Sequence, residues 1–166
     1  MRVLVPNHAK NTTAAPAGVT TGTSIKTMLQ VKPFVPLWVL EWGYFLDGSP
    51  SDIKIELVEV DVAATVTALA DADITQLDVV ADGVAPSIAG LTLGTSATGF
   101  TASAEGAVTA VRNLDAPQIS SLKAFVKPFA LGERPMIQVA KFGRIRVTAA
   151  AAVNMLCYLK LSTSPG

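Results

Sequence analysis

Short runs with a period of two, closed repeatedly by glycine or proline, constrain the fold of this chain more than any other feature. In residues 25–31, apolar or β-branched positions alternate with Lys26, Met28 and Gln30, which is the period of a half-buried strand. Residues 37–46 are apolar on both faces, which predicts a central strand. Further strands are expected at residues 53–58, 77–80, 107–112, 118–129, 136–139, 144–148 and 153–161. About eight or nine short strands without βαβ alternation predict an all-β fold, a β-sandwich or jelly-roll-like domain.

Only two segments could be helical, residues 62–70 and the alanine-rich residues 148–152. β-Branched Val and Thr weaken the first of these interpretations, because they lose side-chain freedom in a helix. A chain of 166 residues is long enough for one domain with its own core. We expect an extended N-terminal arm at residues 1–23, a β-sandwich domain at 24–162 and a C-terminal tail at 163–166. The arm is polar, without a strand or helix period, and is expected to lie outside the core.

Composition narrows the class of protein. Cys157 is the sole cysteine, so the chain cannot form an internal disulfide. No apolar run reaches the length of a membrane span, and the N-terminal apolar run stops at Pro6, so a soluble chain made in the cytoplasm is expected. Thirteen acidic and thirteen basic residues give a net charge of zero, which argues against specific nucleic-acid binding.

The charges are segregated along the chain. Residues 41–82 hold ten acids and one base, whereas eight bases and two acids follow Gly106. Two outcomes are open. The fold could present one acidic and one basic surface, which suits head-to-tail contact between copies, or it could join the two sets as cross-strand pairs within one molecule.

Few residues suggest catalysis. His8 is the sole histidine and lies in the expected arm, so a triad would rest on an unstructured base. Glu59 and Asp61 share a strand face and could act as a glycosidase pair, although such pairs are more often solvated edge charges. Residues 71–82 partly imitate a calcium loop, but Gln76 and Asp82 replace the glycine and glutamate that the loop needs. We therefore predict a protein that is not an enzyme and has no cofactor or metal.

Trp38 and Trp42 lie in the most apolar run of the chain. A period of two places both on one face with Leu40, Tyr44 and Leu46, which predicts core packing. The alternative is an exposed platform on which sugar rings stack. Glu41, on the opposite face among apolar neighbours, is expected to pair with an Arg or Lys, since an unpaired buried carboxylate is costly.

Several motifs together carry a resemblance that covers most of residues 21–161. They are Thr21-Gly22-Thr23-Ser24-Ile25-Lys26-Thr27-Met28-Leu29-Gln30-Val31, Glu41-Trp42-Gly43, Ile55-Glu56-Leu57, Asp61-Val62-Ala63-Ala64-Thr65-Val66-Thr67-Ala68, Thr98-Gly99-Phe100-Thr101-Ala102-Ser103-Ala104-Glu105-Gly106, Leu131-Gly132-Glu133-Arg134-Pro135, Arg144-Ile145-Arg146-Val147-Thr148, and Val153-Asn154 through Cys157-Tyr158. In these motifs the chain resembles small proteins of actinobacterial bacteriophages and prophages. The resemblance implies a virion-associated structural protein, such as a capsid decoration or minor capsid protein.

The expected partners follow from this resemblance and from the charge pattern. They are further copies of the chain, with a homotrimer expected, and the major capsid protein or another virion protein. The candidate interface residues are all basic: Arg2, His8, Lys10, Arg134, Arg144 and Arg146. The alternatives are a carbohydrate-binding β-sandwich module on a phage tail or fibre, and a glycosidase-like enzyme.

Overall fold

Two antiparallel β-sheets packed against each other form the β-sandwich of this chain. The computed structural model describes residues 1–11, 13–48, 53–78, 90–116, 118–119 and 123–165. In chain order the strands are β1 (Arg2–Pro6), β2 (Val19–Thr20), β3 (Lys26–Val31), β4 (Leu37–Asp47), β5 (Ile53–Val60), β6 (Thr65–Ala68), β7 (Thr75–Gln76), β8 (Gly99–Ala104), β9 (Val111–Asp115), β10 (Gln118–Ile119), β11 (Ala124–Pro128), β12 (Met136–Ile137), β13 (Phe142–Ala149) and β14 (Asn154–Ser162).

The chain crosses repeatedly between the two sheets. The first sheet has the order β11-β4-β14-β1-β7, with β12 also paired to β4 and β2 to β14. The second has the order β10-β5-β13-β3-β8-β6, with β9 also paired to β5. The predicted all-β fold is confirmed, with more strands than expected because several pairings span only two residues.

The core lies between the sheets and is built from alternate residues of the long strands. Trp42, Tyr44, Leu57, Ile145 and Leu159 are all fully buried there. Phe125 of β11 adds its ring to this core, with its centroid 5.2 Å from that of Trp42 and 5.5 Å from that of Tyr44. The aromatic cluster fixes β11 at the edge of the first sheet.

Neither helical interpretation holds in the described part of the chain. The segment 62–70 contains strand β6, and strand β13 continues to Ala149. The only helical turn that the structure describes is a short 3₁₀ turn at Asp71–Asp73. Preference of Val and Thr for extended backbone, together with pairing to β8, decides the first segment.

The prediction that residues 1–23 lie outside the core is wrong for their first part. β1 pairs with β14 in the register Val3↔Leu161 and Val5↔Leu159, and both valines are buried. The segment then returns to the same sheet, where Val19 pairs with Met155. The expected arm is therefore a core strand followed by a surface loop. The four residues before Pro6 that β1 uses are too short a run to predict a strand from their pattern.

The prediction that both tryptophans share the core face is also wrong. The register between β4 and β14 shifts after Lys160, so that Lys160 faces Glu41 while Leu161 faces Val39. This β-bulge inserts one extra residue into β4. The β4 side chains that precede the bulge therefore lie on the opposite face of the sheet from the one that a strict period of two predicts. Trp42 is buried in the core, whereas Trp38 is half-buried on the outer side of the sheet.

Candidate interaction surface

Apolar side chains cover the outer side of the first sheet, the side that faces away from the core. Opposite residues of antiparallel strands share a face, so the pairs Phe45↔Leu156 and Leu4↔Lys160 place these side chains together. Phe45 and Val126 remain 45% and 48% exposed. We name the following six residues the outer apolar face: Leu4, Trp38, Phe45, Val126, Leu156 and Tyr158.

An aromatic pair lies at the centre of this face. The ring centroids of Phe45 and Tyr158 are 6.5 Å apart, and the ring planes differ by 19°. Tyr158 can lie close against the sheet because it faces a glycine: a Cβ at Gly43 would be 2.9 Å from its Cε1 and 2.8 Å from the carbonyl oxygen of Phe125. Gly43 thereby keeps the centre of the outer apolar face flat.

The charges within the outer apolar face neutralise each other. The Tyr158 hydroxyl donates to Glu41 Oε1 at 2.6 Å, and Lys160 Nζ lies 2.6 Å from the same oxygen. Burial alone would raise the pKa of Glu41, but the hydrogen bonds from Lys160 and Tyr158 lower it below its usual value. Burial and the Glu41 carboxylate raise the pKa of Tyr158. The expected pairing of Glu41 with a base is confirmed, and the centre of the face carries no net charge.

A cavity of about 280 Å³ adjoins the outer apolar face at the end of β4. Phe45 and Leu156 form one wall, and Pro16 and Gly18 of the surface loop form another. Asp47 and Asn154 also line the cavity, so its walls are partly apolar and partly polar. The loop after β1 thus contributes to this surface, although its residues 13–17 are exposed.

The middle of the outer side of the second sheet is, by contrast, covered by the chain's own loops, although Val111 at its edge is 52% exposed. Arg144 of β13 is fully buried there: its Nε donates to Gln30 Oε1 at 2.8 Å and its Nη2 donates to the carbonyl of Val62. Its Nη1 lies 3.4 Å from the Glu105 carboxylate. Burial lowers the pKa of Arg144 to about 10, which the charge of Glu105 opposes.

Gln30 completes this covering network. Its side-chain amide donates to the carbonyl of Ala97 at 2.7 Å, and its oxygen accepts from the backbone N–H of Ala64 at 2.9 Å. Two loops are therefore held on the sheet by buried polar groups. The prediction that Arg144 is an interface residue is wrong, because its guanidinium is used to hold the chain's own backbone.

The other candidate interface residues lie on separate elements. Arg146 pairs with Glu56 at 2.7 Å on the second sheet, and Arg2 Nε pairs with Asp78 at 2.7 Å beside the first. Arg134 Nη1 donates to the carbonyl of Pro165 at 2.6 Å. The structure does not gather these bases into one basic patch.

His8 and Lys10 lie in the surface loop after β1. His8 is half-buried, with Nδ1 at 3.0 Å from the carbonyl oxygen of Ala9. The backbone N–H of Lys10 donates to the Asp73 carboxylate at 2.6 Å, while its side chain is exposed.

Ion pairs between strands join acids of the acidic segment, residues 41–82, to bases that follow Gly106. Three acids of the acidic segment each meet a base of the basic segment: Glu41 meets Lys160, Glu56 meets Arg146 and Glu59 meets Arg112. Of the two outcomes left open by the sequence, pairing within one molecule is therefore the one observed for these residues.

Glu59 and Asp61 border a cavity of about 210 Å³, but both carboxylates hold structural hydrogen bonds. Glu59 accepts both Nε and Nη2 of Arg112, and also the backbone N–H of Gln138. Asp61 accepts from the hydroxyl and backbone of Thr109, which lowers its pKa to about 2. A group ionised so readily is a poor general acid, which does not favour a glycosidase pair.

The calcium-like segment uses its acids in other ways. Asp73 accepts from the backbone N–H groups of Ala70 and Lys10, and Asp78 pairs with Arg2. Asp82 lies outside the described residues. In the described ranges, no group of three or more His, Cys, Asp or Glu side chains is placed to hold a metal ion.

Trp42 cannot belong to an exposed sugar platform, because it is fully buried. Its indole N–H donates to the Asp115 carboxylate at 2.9 Å, and Lys127 lies 2.9 Å from the other oxygen of that carboxylate. The tryptophan pair suggested by the sequence is divided between the core and the outer apolar face.

Comparisons with protein-family models, with curated protein sequences and with solved structures find no match for this chain. Of the part that the structure describes, no segment forms a helix able to span a lipid bilayer.

Sequence reasoning missed the outer apolar face, although one signal pointed to it. Residues 37–46 are apolar on both faces, which predicts a central strand. β4 is indeed internal to its sheet, but Phe45 on its second face is exposed. Apolar residues on both faces of a strand indicate that something covers each face, and that cover can be a partner.

Proposed function

We propose that this chain is a structural protein of a bacteriophage particle, a decoration or minor capsid protein that stabilises the head through protein–protein contacts and without catalysis. It would be assembled in the host bacterium, and its partners would be further copies of itself, with three chains expected, and the major capsid protein or another virion protein. The phage context comes from the resemblance of residues 21–161 to actinobacteriophage proteins.

One observation supports a binding role above others: the two sheets are covered differently. Loops anchored by Arg144 and Gln30 cover the middle of the second sheet and leave Val111 exposed at its edge, whereas Phe45 and Val126 are exposed on the first sheet. Folding has not covered this apolar surface, and extended apolar patches on soluble proteins are typical of interaction sites.

Electron microscopy of purified particles tests the proposal. Particles of the phage or induced prophage that encodes the chain are expected to carry a β-sandwich density at symmetry-related positions on the head. Particles from a strain lacking the gene should lose that density, and purified protein should restore it. Density confined to the tail would contradict the decoration role, and absence of the chain from the particle would contradict the phage assignment altogether.

A carbohydrate-binding module on a tail or fibre is the second candidate. The nearly parallel rings of Phe45 and Tyr158 favour it, because flat aromatic surfaces can stack on sugar rings. Sedimentation with insoluble cell-wall polysaccharide distinguishes the two functions. Retention by the polysaccharide that is lost in Phe45→Ala would support the module instead of the decoration protein.

A further inference from the structure

We propose that the outer apolar face is the surface on which a second copy of this chain packs. This inference rests on the proposed function and identifies the contact between copies that it requires. The observations are the exposed apolar residues, the charge balance of the face and its area.

The charge balance favours another copy as the occupant. The carboxylate of Glu41 is already matched by Lys160 and the Tyr158 hydroxyl, so the centre of the face offers no net charge to attract an acidic or basic partner, and the Asp47 carboxylate lies at its margin, beside the cavity. The whole chain is also neutral, with thirteen acids and thirteen bases, so two copies approach without net repulsion. A neutral apolar face is complementary to a copy of itself.

The shape of the face is suited to such packing. Gly43 allows the Tyr158 ring to lie against the sheet, which leaves a flat surface of the kind that sheets use when they pack about 10 Å apart. The cavity of about 280 Å³ beside Phe45 provides a socket for one protruding side chain of the copy. The same face thus offers a flat area and a recess.

The area is sufficient for association. Each residue of a sheet covers about 16 Å², so the paired stretches of β11, β4, β14 and β1 present roughly 450 Å² per copy in projection. The relief of Phe45, Val126 and Tyr158 raises the accessible area above the projected one. Two copies would bury on the order of 1,000 Å², which a specific but weak interface needs.

Two geometries can use this face. Two copies packed face to face form a two-fold pair, and a ring in which each face meets the edge strand β11 of the next copy can close at three chains. Both geometries bury Phe45 and Val126 against a second copy.

Sedimentation equilibrium of the purified full chain, without particles, tests the inference. The face variant is Phe45→Arg, and the matched control is Leu131→Arg, which adds the same charge at a residue that is 68% exposed on a turn outside the outer apolar face. Wild type and Leu131→Arg are expected to form the same dimer or trimer. The dissociation constant for self-association of Phe45→Arg is expected to be at least about thirtyfold higher. Thermal melts of all three establish that each is folded.

Three results overturn the inference. One is a wild-type chain that remains monomeric at about 100 µM. Another is an oligomer that Phe45→Arg and Val126→Glu both leave unchanged. The third is equal loss of association in Phe45→Arg and Leu131→Arg. Because no particle is present, these results leave the occupancy of the phage head as a separate question, and a chain that fails here can still decorate a particle.

Discussion

The indole N–H of Trp42 in the first sheet donates to the carboxylate of Asp115 in the second, at 2.9 Å. Lys127, at the edge of the first sheet, lies 2.9 Å from the other carboxylate oxygen. Asp115 of β9 therefore joins the two sheets beside the edge strand β11. It also accepts a hydrogen bond from the one polar group of Trp42, the largest core side chain. Glu59 does the same further along, since it accepts from Arg112 of β9 and from the backbone of Gln138, next to β12.

Asp115→Ala should lower the free energy of unfolding by about 2 kcal/mol, because the buried indole N–H loses its charged acceptor. Glu133→Ala is the control, since its carboxylate is exposed, and it should change stability by less than about 0.5 kcal/mol. Urea denaturation of both variants measures the difference. A stability of Asp115→Ala equal to that of wild type would show that the link between the sheets contributes nothing.

Arg144→Met should be severely destabilising, by about 3–5 kcal/mol, because it leaves Gln30, Glu105 and a backbone carbonyl without their buried donor. Arg146→Met provides a comparison on the same strand. Its partner Glu56 remains accessible to water, so the cost should stay near 1 kcal/mol or below. Chemical denaturation should separate the two variants clearly, and similar losses would contradict the role of Arg144 in holding the loops.

Val5→Asp should prevent cooperative folding. The Val5 side chain is fully buried in the core, where β1 pairs with β14, and a carboxylate there would have no partner. Ala15→Asp, in the exposed loop between β1 and β2, should leave the melting temperature nearly unchanged. A chain that begins at residue 23 should likewise fail to fold. Circular dichroism melts check all three, and a well-folded shortened chain would restore the original interpretation of residues 1–23 as an arm.

Stability should fall in acid partly through Asp61. Its pKa is about 2 in the folded chain, below the ordinary value of 3.8, chiefly because Thr109 donates to the carboxylate. The stabilisation is therefore complete above about pH 4 and is lost as the pH falls towards about 2. Asp61→Asn should melt below wild type at pH 6, and the gap should close near pH 2. Glu133→Gln serves as the control, and a gap that persists at low pH would refute the contribution of this carboxyl.

The sequence predicts the strands in which apolar and polar residues alternate regularly. It does not predict the strands that form mainly because a neighbouring strand pairs with them. β3, β5, β13 and β14 follow expected runs closely, because one face of each is buried in the core. Apart from Phe100, β8 carries small and polar residues from Gly99 to Ala104, and it exists through its pairing with β3 and β6. The expected strand at 77–80 lies partly outside the described residues, and Leu77 and Asp78 are not in a strand.

The interaction surface was harder to predict than the fold for a physical reason. A single bulge in β4 moves Trp38 to the outer side of the sheet, and no residue type in the sequence predicts this shift of register. The position of basic residues in the sequence predicts interface candidates, whereas their roles depend on which acid the fold brings near. Arg144 and Arg146 differ by two positions and lie on the same side of β13, yet one is sealed by loops and the other meets Glu56 near the surface.

The pairing of β1 with β14 has a consequence for synthesis on the ribosome. β14 lies between β4 and β1, so neither of these early strands has its principal neighbour until residues 154–162 have been translated. The first sheet must therefore assemble after residues 154–162 have been translated, through contacts between distant parts of the chain, which slows folding and exposes apolar strands meanwhile. The nascent chain would depend on chaperones for longer than a protein of the same length built from successive hairpins.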